Sequence, residues 1–315
     1  MRKTSLDMVF ELAKRDPRVV FIGSDLGAGT LKEMQQAFPD RFYMEGVSEM
    51  NVIGMAAGLA MEGYIPYVNT IATFLTRRCY EQVALDLCLH KLPVRLIANG
   101  GGLVYAPLGP THLAIEDIAI MRALPNMTVV APADAQEMKR FMDQTLDIPG
   151  PVYVRLGKGG DPVVSKPENG FTVGRAIAMK GGHDATILST GVLTAHALKA
   201  AETLAGQGID CGVLHFHTVK PLDTEAVEAV AFAGGALITL EEHTRIGGLG
   251  SAVADHLNDR FPARMPPLLR LGIPDKFADK YGSQDDLLAY YGLDAASVAK
   301  RVADFATQLR YKEAV

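Results

Sequence analysis

Glu49 is the first residue whose setting asks for a chemical reading. It follows Met44-Glu45-Gly46-Val47-Ser48 and heads the apolar run from Met50 to Ala60. That pattern reads as the end of a short strand, a tight turn at Gly46 and a helix. Ser48 is placed to cap the helix with its hydroxyl. A carboxylate in a helix's first turn gains about 0.3–1 kcal/mol from the helix dipole, so Glu49 has a plain reading as a capping charge. Its apolar neighbours give it a second reading: burial raises a carboxyl pKa and favours a group that holds a proton. The helix is apolar nearly all round and is expected to be buried. Gly54 and Gly58 lie four apart on one face, with Ala57 beside them. Each glycine costs a helix about 1 kcal/mol against alanine, so the bare strip predicts another backbone packed close.

Other side chains carry weaker signals. Phe74 begins a helix and has core packing as its plain reading. His112 closes the loop Gly109-Pro110-Thr111-His112. It is either a polar surface residue or an imidazole passing protons near pH 7. Asp25 and Glu116 stand at element starts, where capping is the alternative, and capping is the favoured reading of Glu116. Arg77 and Arg78 read as helix charges. His215 and His217 share one side of a strand, but no third ligand stands at metal spacing, so no metal site is expected in this chain. Gly247-Gly248-Leu249-Gly250 lacks the full dinucleotide-loop spacing and reads as a tight strand-to-helix turn.

The elements that must position these residues alternate regularly. Strands are expected near Val19–Gly23, Tyr43, Ile65–Thr70, Val94–Ala98, Thr128–Ala131 and Val152–Arg155. Helices are expected over Ser5–Ala13, from Met50, and over Phe74–Leu89, Ile115–Arg122 and Gln136–Thr145. Asp25 to Gly29 and Asn99 to Gly102 read as loops at strand ends. Such alternation implies a parallel sheet covered on both faces, with ligands beyond the carboxyl ends of the strands. The stretch from Gly157 to Gly174, rich in Gly, Pro and Lys, reads as a linker. A second set follows, with strands near Ala185–Ser189, Cys211–Phe216, Ala236–Leu240 and Leu268–Leu271. Helices near Leu193–Ala205, Thr224–Ala231, Ser251–Asn258 and Ala295–Leu309 cover them. The fold class is therefore α/β, as two consecutive doubly wound, mainly parallel sheet domains. The expected division is 1–160, a linker over 161–174, and 175–315.

Composition narrows the setting. The 315 residues are 48% hydrophobic and 21% charged, with a net charge of −5, which points away from nucleic acid and acidic membranes. No apolar run is long enough to span a bilayer, and the N-terminal residues lack the apolar core of a signal peptide. Cys79, Cys88 and Cys211 read as reduced, buried thiols. A cytoplasmic protein is expected.

The motif Glu45-Gly46-Val47-Ser48-Glu49-Met50-Asn51, continued by Gly54-Met55-Ala56-Ala57-Gly58, resembles the pyrimidine-binding domain of transketolase-like thiamine diphosphate enzymes. The likeness continues through Ala72-Thr73-Phe74-Leu75, Gly109-Pro110-Thr111-His112, Leu124-Pro125-Asn126-Met127 and Pro132-Ala133-Asp134. It covers essentially the whole chain, as the C-terminal half of a transketolase. The resemblance implies that Glu49 bonds to N1′ of the cofactor's aminopyrimidine and that Phe74 stacks on that ring. Ile71 stands where the family has a second aromatic, and Asp25 resembles an aspartate near the cofactor. Arg77 aligns with an arginine of the deoxyxylulose-phosphate synthase branch. His112 is implied to reach the donor's hydroxyls, and Arg2 and Arg155 match two arginines that grip the sugar phosphate. Ala98 replaces a histidine of that grip, Gly29 replaces a serine with Thr30 adjacent, and Leu108 replaces an aspartate that reads an acceptor hydroxyl.

The family holds the diphosphate through Mg²⁺ on a Gly-Asp-Gly motif, which does not occur in this sequence. The resemblance therefore implies half an active site, completed by an N-terminal transketolase subunit carrying the diphosphate-binding domain in a heterotetramer. The implied reaction moves a two-carbon ketol unit from a ketose phosphate to an aldose. The rival readings are the beta subunit of a 2-oxo acid dehydrogenase, a deoxyxylulose-phosphate synthase-like enzyme, or a non-catalytic scaffold. Gly109-Pro110-Thr111-His112 favours the transketolase, and a scaffold needs neither Glu49 nor Phe74.

Overall fold

A computed structural model describes residues 1–24, 31–157 and 159–313. Asp25, Gly29 and Thr30 lie outside the described residues. The first part of the chain runs α1 (Arg2–Arg15), β1 (Val19–Gly23), α2 (Lys32–Ala37), β2 (Phe42–Met44), α3 (Glu49–Met61) and β3 (Ile65–Ile71). It continues with α4 (Ala72–Thr76), α5 (Tyr80–Gln82), a π-helical stretch over Val83–Leu89 and β4 (Arg95–Asn99). Then come α6 (Asp117–Ala123), β5 (Thr128–Val130), α7 (Ala135–Met142) and β6 (Val152–Leu156). The second part holds β7 (Ile177–Lys180), β8 (Ala185–Ser189), α8 (Leu193–Ala205), β9 (Cys211–His215) and β10 (Thr218–Lys220). It ends with α9 (Thr224–Ala231), β11 (Ala236–Thr244), α10 (Leu249–Arg260), β12 (Leu268–Ile273), α11 (Gln284–Tyr290) and α12 (Ala295–Glu313).

Two sheets result, ordered β10-β5-β6-β4-β3-β1-β2 and β12-β11-β8-β9-β7. Every pairing is parallel except β10 on β5 and β7 on β9. The parallel strands β1, β3, β4 and β6 are buried along their length, as their near-continuous apolar runs require when helices cover both faces. Three-residue β10 departs from the expected division. It lies well inside the second half of the sequence yet adds an antiparallel edge to the first sheet, where Thr218 pairs with Val130. The two halves are thus stitched together by backbone.

Three local expectations are corrected. The helix predicted over Phe74–Leu89 is broken after Thr76. The Cys79 thiol donates to the Phe74 carbonyl and the Thr76 hydroxyl to the Ala72 carbonyl, so side chains occupy acceptors of the helical ladder. Ser48 sits at the cap of α3 but gives no capping bond; its hydroxyl donates to the Glu45 carbonyl at 2.8 Å. Nor is α3 buried all round. Val52, Ile53, Ala56, Ala57 and Ala60 pack inward, whereas Met50, Asn51, Gly54, Gly58 and Met61 face outward. A Cβ added at Gly54 or Gly58 would meet nothing within 4 Å, so no described backbone packs on the bare strip.

All three cysteines are free and buried. Among the described residues no helix is long and apolar enough to cross a membrane.

Candidate functional site

A cleft of about 340 Å³ opens beyond the carboxyl ends of the first sheet, lined by Thr73, Phe74, Arg77, Arg78 and Thr111. Each wall has a local cause. β3 ends at Ile71 and passes directly into α4, which projects Phe74 outward while Thr73 and Leu75 stay buried. β2 ends at Met44, and the turn at Gly46, with φ of +65°, returns the chain into α3 so that Glu49 begins the helix. Glu49 is only 3% exposed. Its carboxylate is not unpaired: Arg78 Nη1 donates to Oε2 at 2.5 Å. The same guanidinium lies 4.2 Å above the centre of the Phe74 ring. His112 meets the Phe74 ring edge-on at 5.4 Å, with its Nδ1 2.8 Å from the Thr111 hydroxyl.

Arg77 has a different task. It donates to the Glu116 carboxylate, to the Pro110 carbonyl at 3.1 Å and to the Leu113 carbonyl at 2.8 Å. These bonds pin the loop bearing His112 against α4, and the hydrogen bond to Glu116 raises the arginine's pKa. The capping reading of Glu116 is corrected by the same geometry. Its side chain makes no cap bond on α6 because Arg77 takes it. Ile71 is buried at the head of α4 and does not line the cleft.

The residues expected to grip a sugar phosphate sit elsewhere. Arg155 is 5% exposed and is committed inside the protein. Nε donates to Asp117 at 2.8 Å, and Nη2 donates to the carbonyls of Ala114 and Glu242 at 3.0 and 2.7 Å. Tyr153 donates its hydroxyl to the same Asp117 oxygen at 2.7 Å. The cavity beside Arg155 measures about 10 Å³, too small for any sugar. Arg155 thus joins the two halves through its bond to the Glu242 carbonyl. Ala98 is fully buried in the core, so that position presents nothing to a substrate. Arg2 is half-buried, close enough to Tyr105 to act on it electrostatically, and its side chain makes no hydrogen bond or ion pair with the described residues. Leu108 is exposed beside the Gly109 turn.

The glycine-rich loop explains itself at this seam. Gly100, with φ of +74°, has the Tyr105 ring where a Cβ would stand, and Gly102, with φ of +68°, has the Glu242 carboxylate. Glu242 accepts from the Leu103 amide at 2.8 Å and from Gln284 at 2.7 Å. Burial pushes its pKa up to about 7. Glu241 accepts from the first amides of α10, at Leu249 and Gly250, which accounts for the tight turn expected there. His215 is held between Thr194 and Glu137, and His217 stacks on Phe171 at 3.8 Å. Among the described residues no group of three or more His, Cys, Asp or Glu gathers as a metal site.

The sequence reading brought Glu49, Phe74, His112 and Arg77 to one place. It read Arg78 only as a helix charge and gave Asp117 and Glu242 no role at a site. Arg78 had a legible signal, since it stands four residues after Phe74, the spacing that places a guanidinium over a ring. Asp117 and Glu242 had none.

The family model for the transketolase pyrimidine binding domain matches residues 1–160, and that for the transketolase C-terminal domain matches residues 174–298. The chain belongs to the transketolase family. That family is thiamine diphosphate-dependent. The 6-deoxy-6-sulfo-D-fructose transketolase subunit SqwH of Clostridium sp. (strain MSTE9) is 40% identical over 301 residues, covering 95% of this chain and 92% of the relative. An apulose-4-phosphate transketolase subunit of Phocaeicola vulgatus is 35% identical over 307 residues, covering 96% of each. Among solved structures, a split gene transketolase described as an inactive beta4 tetramer superposes with a TM-score of 0.89 at 39% identity, over 97% of this chain and 98% of that one. The chain is thus a C-terminal subunit of the split-transketolase type, folded as two α/β domains.

Proposed function

We propose that this chain works with an N-terminal subunit carrying the diphosphate-binding domain and its Mg²⁺, and that the pair transfers a two-carbon ketol unit from an anionic ketose to an aldose. The observation that carries the reading is that buried Glu49 and His112 both touch residues lining one cleft beyond the sheet's carboxyl ends, Glu49 through Arg78 and His112 through the Phe74 ring. Thiamine diphosphate, when bound, supplies the electron sink that lets a bond beside a ketose carbonyl break and re-form.

This chain's residues fit the cofactor's aminopyrimidine end. Glu49 offers a buried carboxylate to hold a proton at N1′, and Phe74 offers a flat face for the ring. Thr73, which also lines the cleft, has a buried hydroxyl with no partner. His112 stands at the rim, where it exchanges protons with donor hydroxyls, and Arg77 fixes its loop. The outward face of α3 supports a partner. Val47, Met50 and Met61 are exposed there beside the bare Gly54/Gly58 strip, a surface suited to another subunit's helix in a heterotetramer. The three free, buried cysteines suit a reducing cytoplasm.

The substrate we assign is a ketose with an anionic terminus, phosphate or sulfonate, less common than xylulose 5-phosphate. The names of the two relatives support this, one a sulfo sugar and one a sugar phosphate. So does Leu108, which offers no polar group where the family reads an acceptor hydroxyl. With Arg155 committed to the seam, Arg2 is the anion contact we assign.

The test is reconstitution. The purified pair should transfer ketol units, and this chain without its partner should neither turn over nor bind thiamine diphosphate well. Decarboxylation of 2-oxo acids by the pair, with no ketol transfer, would replace this reading by the dehydrogenase one. A clear optimum on xylulose 5-phosphate would refute the altered specificity, and an unchanged KM for anionic sugars in Arg2→Ala would refute the grip.

A further inference from the structure

We propose that Arg78 is a gate residue for the cofactor: its guanidinium occupies the seat that the aminopyrimidine takes, and the cofactor binds by displacing it. This rests on the reading that Glu49 and Phe74 receive the aminopyrimidine. The ring needs two contacts there, a flat face on Phe74 and an N–H at N1′ donating to Glu49. Arg78 makes both. Its guanidinium lies 4.2 Å over the Phe74 ring, and its Nη1 donates to Glu49 Oε2 at 2.5 Å. A guanidinium and a protonated aminopyrimidine share the features that matter: both are planar, delocalised and edged with N–H donors. One face of Phe74 and one oxygen of Glu49 cannot serve both at once. In keeping with this, Arg78 and not Glu49 lines the cleft.

Arg78 is also built to leave. Its side chain is 40% exposed, and the bond to Glu49 is its one hydrogen bond with the described residues. Neighbouring Arg77, by contrast, is held by a carboxylate and two carbonyls. Arg78 also stands in the break between α4 and α5, where no continuous helical ladder holds its backbone. Displacement leaves no stranded charge when one proton is taken up from solvent with the neutral ring and is shared between N1′ and buried Glu49, while the guanidinium moves into water. The arrangement keeps the Glu49 carboxylate partnered before the cofactor arrives. Its consequence is an apparent affinity lowered by the fraction of molecules in which the seat is open.

The experiment is calorimetric titration of the reconstituted pair with thiamine diphosphate, and separately with thiamine, for the unaltered chain, Arg78→Met and Arg78→Lys. Thermal melts confirm folding of each. Removing a stacked, charge-paired competitor should tighten binding of both ligands by about tenfold or more in Arg78→Met. Arg78→Lys keeps the charge on Glu49 but not the flat contact, and should fall between. The Arg78 guanidinium nitrogen resonances of the unaltered chain should shift as thiamine diphosphate saturates it. Unchanged or weaker binding in Arg78→Met, with normal binding by the unaltered pair, overturns the gate and leaves the functional reading intact. An unaltered pair that binds neither ligand overturns both.

Discussion

Two arginine–carboxylate pairs in this chain use the same chemistry for different ends. Arg155 and Asp117 of the first half meet at 2.8 Å, with side chains 5% and 1% exposed, where Arg155 also reaches the Glu242 carbonyl of the second half. Arg78 and Glu49 meet at 2.5 Å, but the arginine is 40% exposed and the carboxylate 3%. The first arginine is bonded to a carboxylate and two backbone carbonyls, and its carboxylate also holds Tyr153. The second is bonded once and leans on an aromatic face. Burial works against the Arg155 charge, but Asp117 and Glu242 prevail and leave its pKa above the ordinary value. A pair fully out of water has nowhere for either partner to go. A pair with one side wet can exchange partners, which the proposed displacement of Arg78 requires.

The largest effect should come from breaking the seam. Arg155→Met strands the buried Asp117 carboxylate, and losing one member of a buried pair costs about 3–5 kcal/mol. Denaturant unfolding of the purified chain should show that loss, and whatever folded enzyme remains should keep its KM for anionic sugars. A stable Arg155→Met protein with a raised KM would instead restore the arginine to the substrate.

Glu49→Gln should do the reverse. The amide keeps the shape and can still accept from Arg78, so folding should survive. It cannot hold the proton at N1′, and general acid–base contributions of about 10²–10⁴-fold set the expected loss in kcat at roughly 100-fold or more. Near-normal turnover by the reconstituted pair would return Glu49 to helix capping.

The difference between the pairs also marks what the sequence could disclose. Both parallel sheets, the cleft's location and the placing of Glu49, Phe74 and His112 followed from periodicity, loop position and motif resemblance, which are local properties. The helix break after Thr76 did not, because it depends on Cys79 and Thr76 side chains competing for carbonyls inside an otherwise helical pattern. The seam was invisible for another reason. Asp117 and Arg155 are 38 residues apart in the first half and Glu242 comes from the second, so no window of sequence contains the network.

The seam should also respond to pH. Burial lifts Glu242 from an ordinary 4.5 to about 7, so between those values the native state keeps a proton that the unfolded chain has released. Its contribution to stability therefore falls as pH rises through that window and is level on either side. The groups around it are Arg155, Asp117, Gln284 and the Leu103 amide. His217, near His215, Glu137 and Arg140, has the opposite sign. Burial depresses it from 6.5 to about 3, so its contribution grows as pH rises across that range. The two oppose each other between about pH 4.5 and 6.5. Glu242→Gln should remove one of them and leave a melting temperature that climbs with pH up to about 6.5. An unchanged pH profile in the variant would place the Glu242 pKa near its ordinary value.

The smallest effect should come from Ser48, which stands next to Glu49 and would carry the cap of α3 if the helix start were built for stability. Its hydroxyl donates to the Glu45 carbonyl in an exposed turn and accepts nothing from the helix amides. Asp134 provides the internal contrast. It caps α7 with bonds from Gln136 and Glu137 at 2.9 Å each, and also holds the linker through Val164 and Ser165. Loss of a working cap costs about 0.5–2 kcal/mol, so Ser48→Ala should fall below that range while Asp134→Ala reaches or exceeds it. Ser48→Ala should also leave the thiamine diphosphate affinity of the reconstituted pair unchanged, since the Glu49 carboxylate is positioned by the burial of α3 against the sheet. If Ser48→Ala loses a full capping increment, or weakens the cofactor as strongly as a change at Phe74, then the turn before Glu49 is part of the cofactor seat. The distinction between a rigid seam and an exchangeable cleft would then have to be drawn farther out, beyond the α3 N-terminus.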